Sequence, residues 1–364
     1  MKTNVLNFSG GPGALPISVL EKTQAALESV DDTGVSLLGM SHRSDWYQEL
    51  NAKAQSNLRE LLDIPNDYEV LFLQGGGSLQ FAMMAMNFLK SSHQTAQYIV
   101  SGYWSAKAPL EAMAQGQVEV IWSGESEGYR RLPTMDDLKN RVDPRAAYLH
   151  YVSNETVEGL AFSNDTTPQA QTLICDMSSD LLSKPIEVER YAMIYAHAQK
   201  NLGPAGVTVV IIQRALLERA QPHTPPILNY LAHSNANSIL NTPPVFSIYV
   251  LKLVTDWLIQ DIGGLSKMAV INQAKANCLY QAFTEREDFY KIHAKPPHRS
   301  LMNIAFSMKS VEQERSFLQL SKQQGFLGLE GHRSIGGLRA SLYNAVSLEA
   351  CEELARFILD FQSV

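Results

Sequence analysis

The sequence predicts an α/β fold, in which a large, mostly parallel sheet is covered by helices and followed by a smaller C-terminal α+β domain. Three observations carry this reading. Between about residues 68 and 213, short apolar runs alternate with stretches of helical periodicity. After about residue 245 the pattern changes to long helices separated by isolated strands. The chain has 364 residues, 45% hydrophobic and 18% charged, enough for two domains with a substantial core. Alternation of strand and helix favours parallel pairing, because a helix returns the chain to the edge from which it left.

Taken in order, strands are predicted at 68–74, 97–101, 118–123, 147–152, 172–176, 192–196 and 207–213. Helices are predicted at 78–89, 106–114 and 135–141. Each predicted strand is a short, mainly apolar run, and one such as Ala192-Met193-Ile194-Tyr195-Ala196 reads as buried. The tail reads as helices at 245–260 and 265–287, a strand at 302–308, a helix at 311–324, a strand at 338–344 and a helix at 348–361. Proline-rich stretches at 222–226 and 242–244 read as surface loops. The boundaries that follow are a large domain over 16–262 and a small domain over 263–364 joined by residues 1–15.

A net charge of −7 argues against nucleic acid as the main partner, although a local anion site remains compatible with it. No apolar run has the length of a membrane span, and the first residues lack the apolar core of a secretory leader. Cys175, Cys278 and Cys351 are odd in number and widely spaced, so neither a disulfide framework nor a metal site is predicted. A reducing cytoplasm is the expected compartment.

Five features that follow predicted strands carry the chemistry. Lys200 lies in Ala198-Gln199-Lys200-Asn201-Leu202-Gly203-Pro204, just past an apolar strand and before a Gly-Pro turn. A lone lysine there usually reaches into solvent, but a desolvated one has a lowered pKa and a nucleophilic amine suited to imine formation. Gly75-Gly76-Gly77-Ser78 joins a strand to a helix. It is either a tight turn or an anion cradle, and it matches neither the dinucleotide nor the nucleoside triphosphate fingerprint. Asp176 ends a strand 24 residues before Lys200, where it can cap a turn or face a ring nitrogen and keep it protonated. Trp104 offers a stacking surface and Thr156 a hydroxyl. Together these are the parts of a pyridoxal phosphate site.

His42-Arg43 and His332-Arg333, with Arg339 nearby, sit in glycine-flanked loops. Arginine forks bind carboxylate or phosphate at two points, which predicts a small, multiply charged anionic substrate.

The chain resembles the phosphoserine aminotransferase family of class V pyridoxal phosphate aminotransferases over nearly its whole length. The resemblance rests on Asn7-Phe8-Ser9-Gly10-Gly11-Pro12, Ser41-His42-Arg43, Gly102-Tyr103-Trp104, Asn154-Glu155-Thr156 and the Lys200 segment. It extends to Asn241-Thr242-Pro243-Pro244, Gly331-His332-Arg333 and Gly337-Leu338-Arg339-Ala340-Ser341-Leu342-Tyr343-Asn344-Ala345. It implies a fold-type-I pyridoxal phosphate-dependent transferase in which Lys200 forms the imine and Asp176 pairs with the pyridinium. Trp104 would stack on the ring, and Gly77, Ser78, Thr156 and Gln199 would bind the cofactor. Asn241 and Thr242 would reach the cofactor phosphate of a neighbouring subunit, giving a homodimer with shared sites. Arg339 would hold the α-carboxylate, and His42, Arg43, His332 and Arg333, with Gly10 nearby, the distal anion.

The implied reaction converts O-phospho-L-serine and 2-oxoglutarate reversibly to 3-phosphooxypyruvate and L-glutamate, in serine biosynthesis. Many bacterial members also use 4-phosphohydroxy-L-threonine, on the way to vitamin B6. Three positions depart from the family pattern. Ser78 stands where some members carry Arg, and Gly10 replaces a small hydroxyl residue. His197 stands where Gly or Ser is usual; it is expected to pack away from the cofactor, the alternative being a changed pH response of the pocket. A cysteine desulfurase is disfavoured because no cysteine lies in a mobile loop, and a regulator because no DNA-binding module is evident.

Overall fold

The computed structural model of the chain describes residues 6–89 and 94–362. The first five residues, assigned from the sequence to the small domain, lie outside this range. Among the described residues twelve strands are formed, here β1 (Tyr68–Leu73), β2 (Thr95–Val100), β3 (Gln117–Ser123), β4 (Tyr148–Val152), β5 (Asn154–Glu155), β6 (Leu160–Ala161), β7 (Leu173–Asp176), β8 (Met193–His197), β9 (Thr208–Gln213), β10 (Tyr290–Ile292), β11 (Asn303–Met308) and β12 (Leu338–Ser341). Seven of them make the main sheet, in the order β1-β9-β8-β7-β4-β2-β3. These seven are the seven predicted between 68 and 213, within a residue or two at each end.

The reason they were readable is visible in the packing. Along β1, Val70 and Phe72 enter one apolar cluster while Leu71 and Leu73 enter another across the sheet. Both faces are covered from Val70 onward, so those four positions are all apolar, while the half-buried Glu69 pairs with Arg214 at 2.7 Å. The helix Gly76–Phe88 contributes Phe81, Met84 and Phe88 to one side. The helices Asp45–Leu62 and Val245–Trp257 contribute Leu50, Leu58, Ile248 and Leu251 to the other.

β9 alone runs antiparallel to both its neighbours. The chain turns from β8 to β9 through Gly203 and Gly206, both at positive φ. That connection is too short for a crossover helix, so the returning strand pairs antiparallel. Two long helices, Ile17–Glu28 and Asp45–Leu62, were not predicted. The second had a legible signature. Ser44 caps it through Oγ to the Tyr47 amide at 3.3 Å, and Tyr47, Leu50, Ala54, Leu58 and Leu62 are buried at helical spacing. The helices predicted at 106–114 and 135–141 are shorter, Ala108–Ala112 and Met135–Leu138.

β10, β11 and β12 form a separate antiparallel sheet over a core rich in Phe283, Phe306, Phe317 and Phe357. Phe8 and Ala14 belong to this second core. The helix Leu265–Glu285 serves both cores: Leu265 and Met268 pack into the main one, Leu279 and Phe283 into the second. The segment after residue 6 is a strap between them. Phe8 exchanges backbone bonds with Leu327 and Ser341 at 2.8 and 3.0 Å, and the Gly13 amide donates to the Gln199 carbonyl at 2.8 Å. Among the described residues no helix is long and apolar enough to cross a membrane.

Candidate active site

Six of the seven main strands point the same way, so the loops at their C-terminal ends open onto one edge, the usual ligand side of such a sheet. A cavity of about 220 Å³ lies there. The sequence-predicted residues Gly77, Ser78, Trp104, Thr156, Asp176, Gln199 and Lys200 all line it.

Lys200 is buried, with 7% of its surface exposed. Its Nζ donates to Thr156 Oγ1 at 2.7 Å and lies 5.9 Å from the centre of the Trp104 ring. Burial lowers its pKa from 10.5 to about 8, against the opposing pull of the Asp176 carboxylate. Asp176 is buried at the end of β7, and its Oδ1 accepts the Ser178 amide at 2.8 Å. Burial raises its pKa, partly offset by Ser178 and Lys200.

The glycine turn opens the helix Gly76–Phe88 without any side-chain cap, and Gly75 and Gly76 take the positive φ that turn requires. The first N–H groups of that helix are therefore left for a ligand. Gly77 needs its missing Cβ for another reason: that atom would stand 3.2 Å from His197 Cδ2 and 3.4 Å from Asp176 Oδ2.

The turn that presents Trp104 is held from below by two buried glutamates that the sequence reading passed over. Glu155 accepts the amides of Trp104 and Ser105 at 3.2 and 3.0 Å, and Glu158 accepts that of Tyr103 at 2.9 Å. A Cβ on Gly102 would lie 2.5 Å from Glu158 Oε2 and 2.7 Å from Glu155 Cδ, so both carboxyls crowd one spot. Burial, with Glu155 beside it, raises the Glu158 pKa well above the ordinary carboxylate range; burial raises that of Glu155 too. The signal available in the sequence was a pair of glutamates three apart in an otherwise apolar stretch.

On the substrate side, Arg339 projects from β12. Its Nη1 donates to the Thr156 carbonyl at 3.3 Å, while its Nε is buried without a partner. A Cβ on Gly10 would collide with the guanidinium, which gives the glycine at that position a steric reason. The Gly10 carbonyl accepts the Tyr343 hydroxyl at 2.8 Å. The His332 ring packs 4.6 Å from that of Tyr103, and its Nδ1 pairs with Ser334 Oγ at 2.6 Å; Arg333 beside it is exposed. Lys107, unremarked in the sequence, places its Nζ 4.5 Å from the Tyr103 ring centre and 5.3 Å from that of Trp104. Lys107 and Arg333 both depress the Tyr103 hydroxyl pKa, Lys107 the more strongly.

Eight predicted residues do not line the cavity: Gly10, His332, Arg333 and Arg339, described above, and four that lie farther out. Arg43, Asn241 and Thr242 are exposed and His42 is half-buried. Their loops meet on one small apolar cluster, where Met40 and Val245 pack against Ala26, Val30 and Leu37. Leu38, on the same segment, is 73% exposed. Gln74 Nε2 ties the Thr242 carbonyl to the start of the glycine turn at 2.8 Å. His197 corrects an expectation. Instead of packing away, it lines the cavity beside Gly77, because the end of β8 turns its side chain toward the glycine helix.

Residues 5–354 match the family model for class-V aminotransferases. A phosphoserine aminotransferase of Lysinibacillus sphaericus is 48% identical over 362 residues, covering 100% of this chain and 99% of that one. The solved phosphoserine aminotransferase from Bacillus circulans subsp. alkalophilus superposes with a TM-score of 0.93 at 45% identity, covering 97% of each chain. The pyridoxal phosphate-bound phosphoserine aminotransferase from Trichomonas vaginalis gives a TM-score of 0.90 at 35% identity, over 97% of this chain and 99% of that one. With the buried lysine, the glycine turn and the buried carboxylate already in one cavity, these matches place the chain in the class-V aminotransferase family.

Proposed function

We propose that this chain is a pyridoxal phosphate-dependent transaminase that exchanges the amino group of O-phospho-L-serine with 2-oxoglutarate. The observation that carries the reading is the buried Lys200 amine, hydrogen-bonded to Thr156 between Trp104 and Asp176. The residues suit the cofactor. An uncapped helix start with glycines accepts a phosphate, a buried carboxylate suits a pyridinium, and a lysine with a pKa near 8 is available as a neutral amine. Bound pyridoxal phosphate supplies an electron sink for the bond broken at the substrate's Cα.

The chain's own residues do the rest. Asp176 holds the proton on the ring nitrogen, and Trp104 fixes the ring plane. Arg339, with its unpartnered Nε, takes the α-carboxylate and so orients Cα. The Lys200 amine moves the proton between Cα and the cofactor's C4′, and Thr156 Oγ1 steadies that amine. His332, Arg333, His42 and Arg43 receive the distal phosphate or carboxylate, with His42 and Arg43 contributed by a second copy of the chain. Their exposure outside this chain's own cavity, on an apolar patch shared with Asn241 and Thr242, supports a homodimer with shared sites. The unpaired cysteines are in keeping with a reducing cytoplasm.

The test is a set of half-reactions with phosphoserine, glutamate, phosphohydroxythreonine and alanine. Arg43→Ala should cut the specificity constant for the three anionic donors by about 10–100-fold, the worth of a charged hydrogen bond, and leave alanine nearly unchanged. Arg339→Ala should reduce all four. Equal losses for alanine and phosphoserine in the Arg43 variant would remove Arg43 from the distal anion site and weaken the phosphoserine reading.

A further inference from the structure

His197 ends β8, three residues before Lys200, and its ring lines the cavity. Its Nδ1 is buried and has no hydrogen-bond partner. Buried polar atoms in folded proteins are nearly always satisfied, so this unpartnered nitrogen leaves a cavity-lining imidazole with hydrogen-bonding capacity that the chain itself does not use. The surroundings narrow down what that capacity suits. Gly77 faces the ring in the first turn of the helix Gly76–Phe88, and a Cβ there would press to 3.2 Å from His197 Cδ2. The glycine thus leaves the imidazole its room, and it brings the uncapped amides of the helix start to the same place. The Gln199 side chain stands close enough to the ring to favour its charged form, though no hydrogen bond to Nδ1 is formed.

Two charged groups face this corner: the Lys200 ammonium, and the Asp176 carboxylate lying across Gly77, whose Oδ1 is taken up by the Ser178 amide. Burial, reinforced by the Lys200 charge, lowers the imidazole pKa to about 3, so the ring is neutral and carries one N–H. Backbone amides, the Ser78 hydroxyl, the Gln199 amide and the imidazole N–H make a donor-rich corner. Such a corner suits a phosphate monoester, with its three acceptor oxygens and nearly two negative charges.

We propose that His197 is an additional donor to the phosphate group of the bound cofactor, extending the glycine cradle by one side chain. This rests on the cofactor reading given above. It is tested by measuring dissociation constants of pyridoxal 5′-phosphate and of pyridoxal, which lacks the phosphate. Tryptophan fluorescence of the full chain stripped of cofactor supplies the readout, with no turnover required. His197→Leu and His197→Gly should weaken the phosphorylated form by about 10–100-fold and leave pyridoxal within about twofold. His197→Gln, which keeps an N–H donor, should recover most of the loss, and a thermal melt of each variant confirms that it is folded. Equal losses for both ligands would make His197 a wall against the ring and overturn the assignment. Unchanged affinity for both would make it a bystander and overturn it too. If the parent protein binds neither ligand, the cofactor reading itself fails, and this inference fails with it.

Discussion

Lys200, Asp176 and Thr156 are buried at strand ends and locked by hydrogen bonds to neighbouring loops, whereas Arg43, Asn241 and Thr242 stand exposed on loops outside the sheet. The first group has a fixed geometry and a low dielectric, which suits the shifted pKa and placed proton that the proposed reaction would require of it. The second offers hydrogen-bond donors and reach, with a charge on Arg43 alone, and within one chain its members are not buried. The contrast teaches that one fold preorganises the cavity by itself, while the exposed group finds nothing to hold within its own chain; under the reading proposed above, Asn241 and Thr242 would meet the cofactor phosphate, and Arg43 the distal anion, of a second copy.

The largest effect tests the preorganised half. Lys200→Ala should lower transamination by about 10⁴-fold, the upper range for loss of a placed acid–base group, while the fold and the Trp104 turn persist. Borohydride reduction of the parent followed by peptide mapping should label Lys200, and a label on another lysine would sink the assignment.

The next prediction tests the shared half. A Lys200→Ala chain and an Asn241→Ala, Thr242→Ala chain should each be nearly inactive alone. Mixed in equal amounts and allowed to exchange, they should recover roughly a quarter of parental activity, because half the dimers are hybrids with one intact site of two. No recovery after verified exchange would place each site wholly within one chain.

The smallest effect concerns what preorganisation costs. With a pKa of about 8 in the fold against 10.5 for the free side chain, Lys200 binds its proton more weakly folded than unfolded. Between those two pH values the unfolded chain holds the extra proton, so stability of the cofactor-free protein rises with pH through that window. Below it the buried ammonium is a standing penalty. Lys200→Met should therefore stabilise the cofactor-free protein by about 2–3 kcal/mol near pH 7, with the gain fading toward pH 10. Urea titrations at both pH values measure this; identical stabilities at pH 7 would show that burial does not strain the lysine.

Much of the same contrast governs what could be read from the sequence. The central strands were legible because burial on both faces leaves few polar positions to blur them, as in Leu173-Ile174-Cys175, and the more exposed edge strand β3 from its apolar Val118, Val120, Ile121 and Trp122. The cavity residues were legible because each follows such a strand. The direction of β9 was not, since it depends on the length of the Gly203–Gly206 turn rather than on composition. The helix Asp45–Leu62 was overlooked despite its Ser44 cap, because charged residues outnumber apolar ones on its outer face. Glu155 and Glu158 were overlooked because a glutamate usually signals solvent, and only the fold shows the backbone amides that draw these two inside. His197 was placed on the wrong side because the room for its ring is made by Gly77, 120 residues earlier in the chain.

The strap that carries the Gly10 carbonyl to the Tyr343 hydroxyl joins positions 333 residues apart. Its consequence lies in time rather than in space. Every residue lining the cavity lies between Gly75 and Lys200. On a ribosome adding roughly 5–20 residues per second, Lys200 is polymerised on the order of ten seconds before Arg339 and Tyr343. The cavity lining is thus complete while Arg339 does not yet exist, and the oldest part of the nascent chain, around Gly10, must wait for the youngest before its contact with Tyr343 can form.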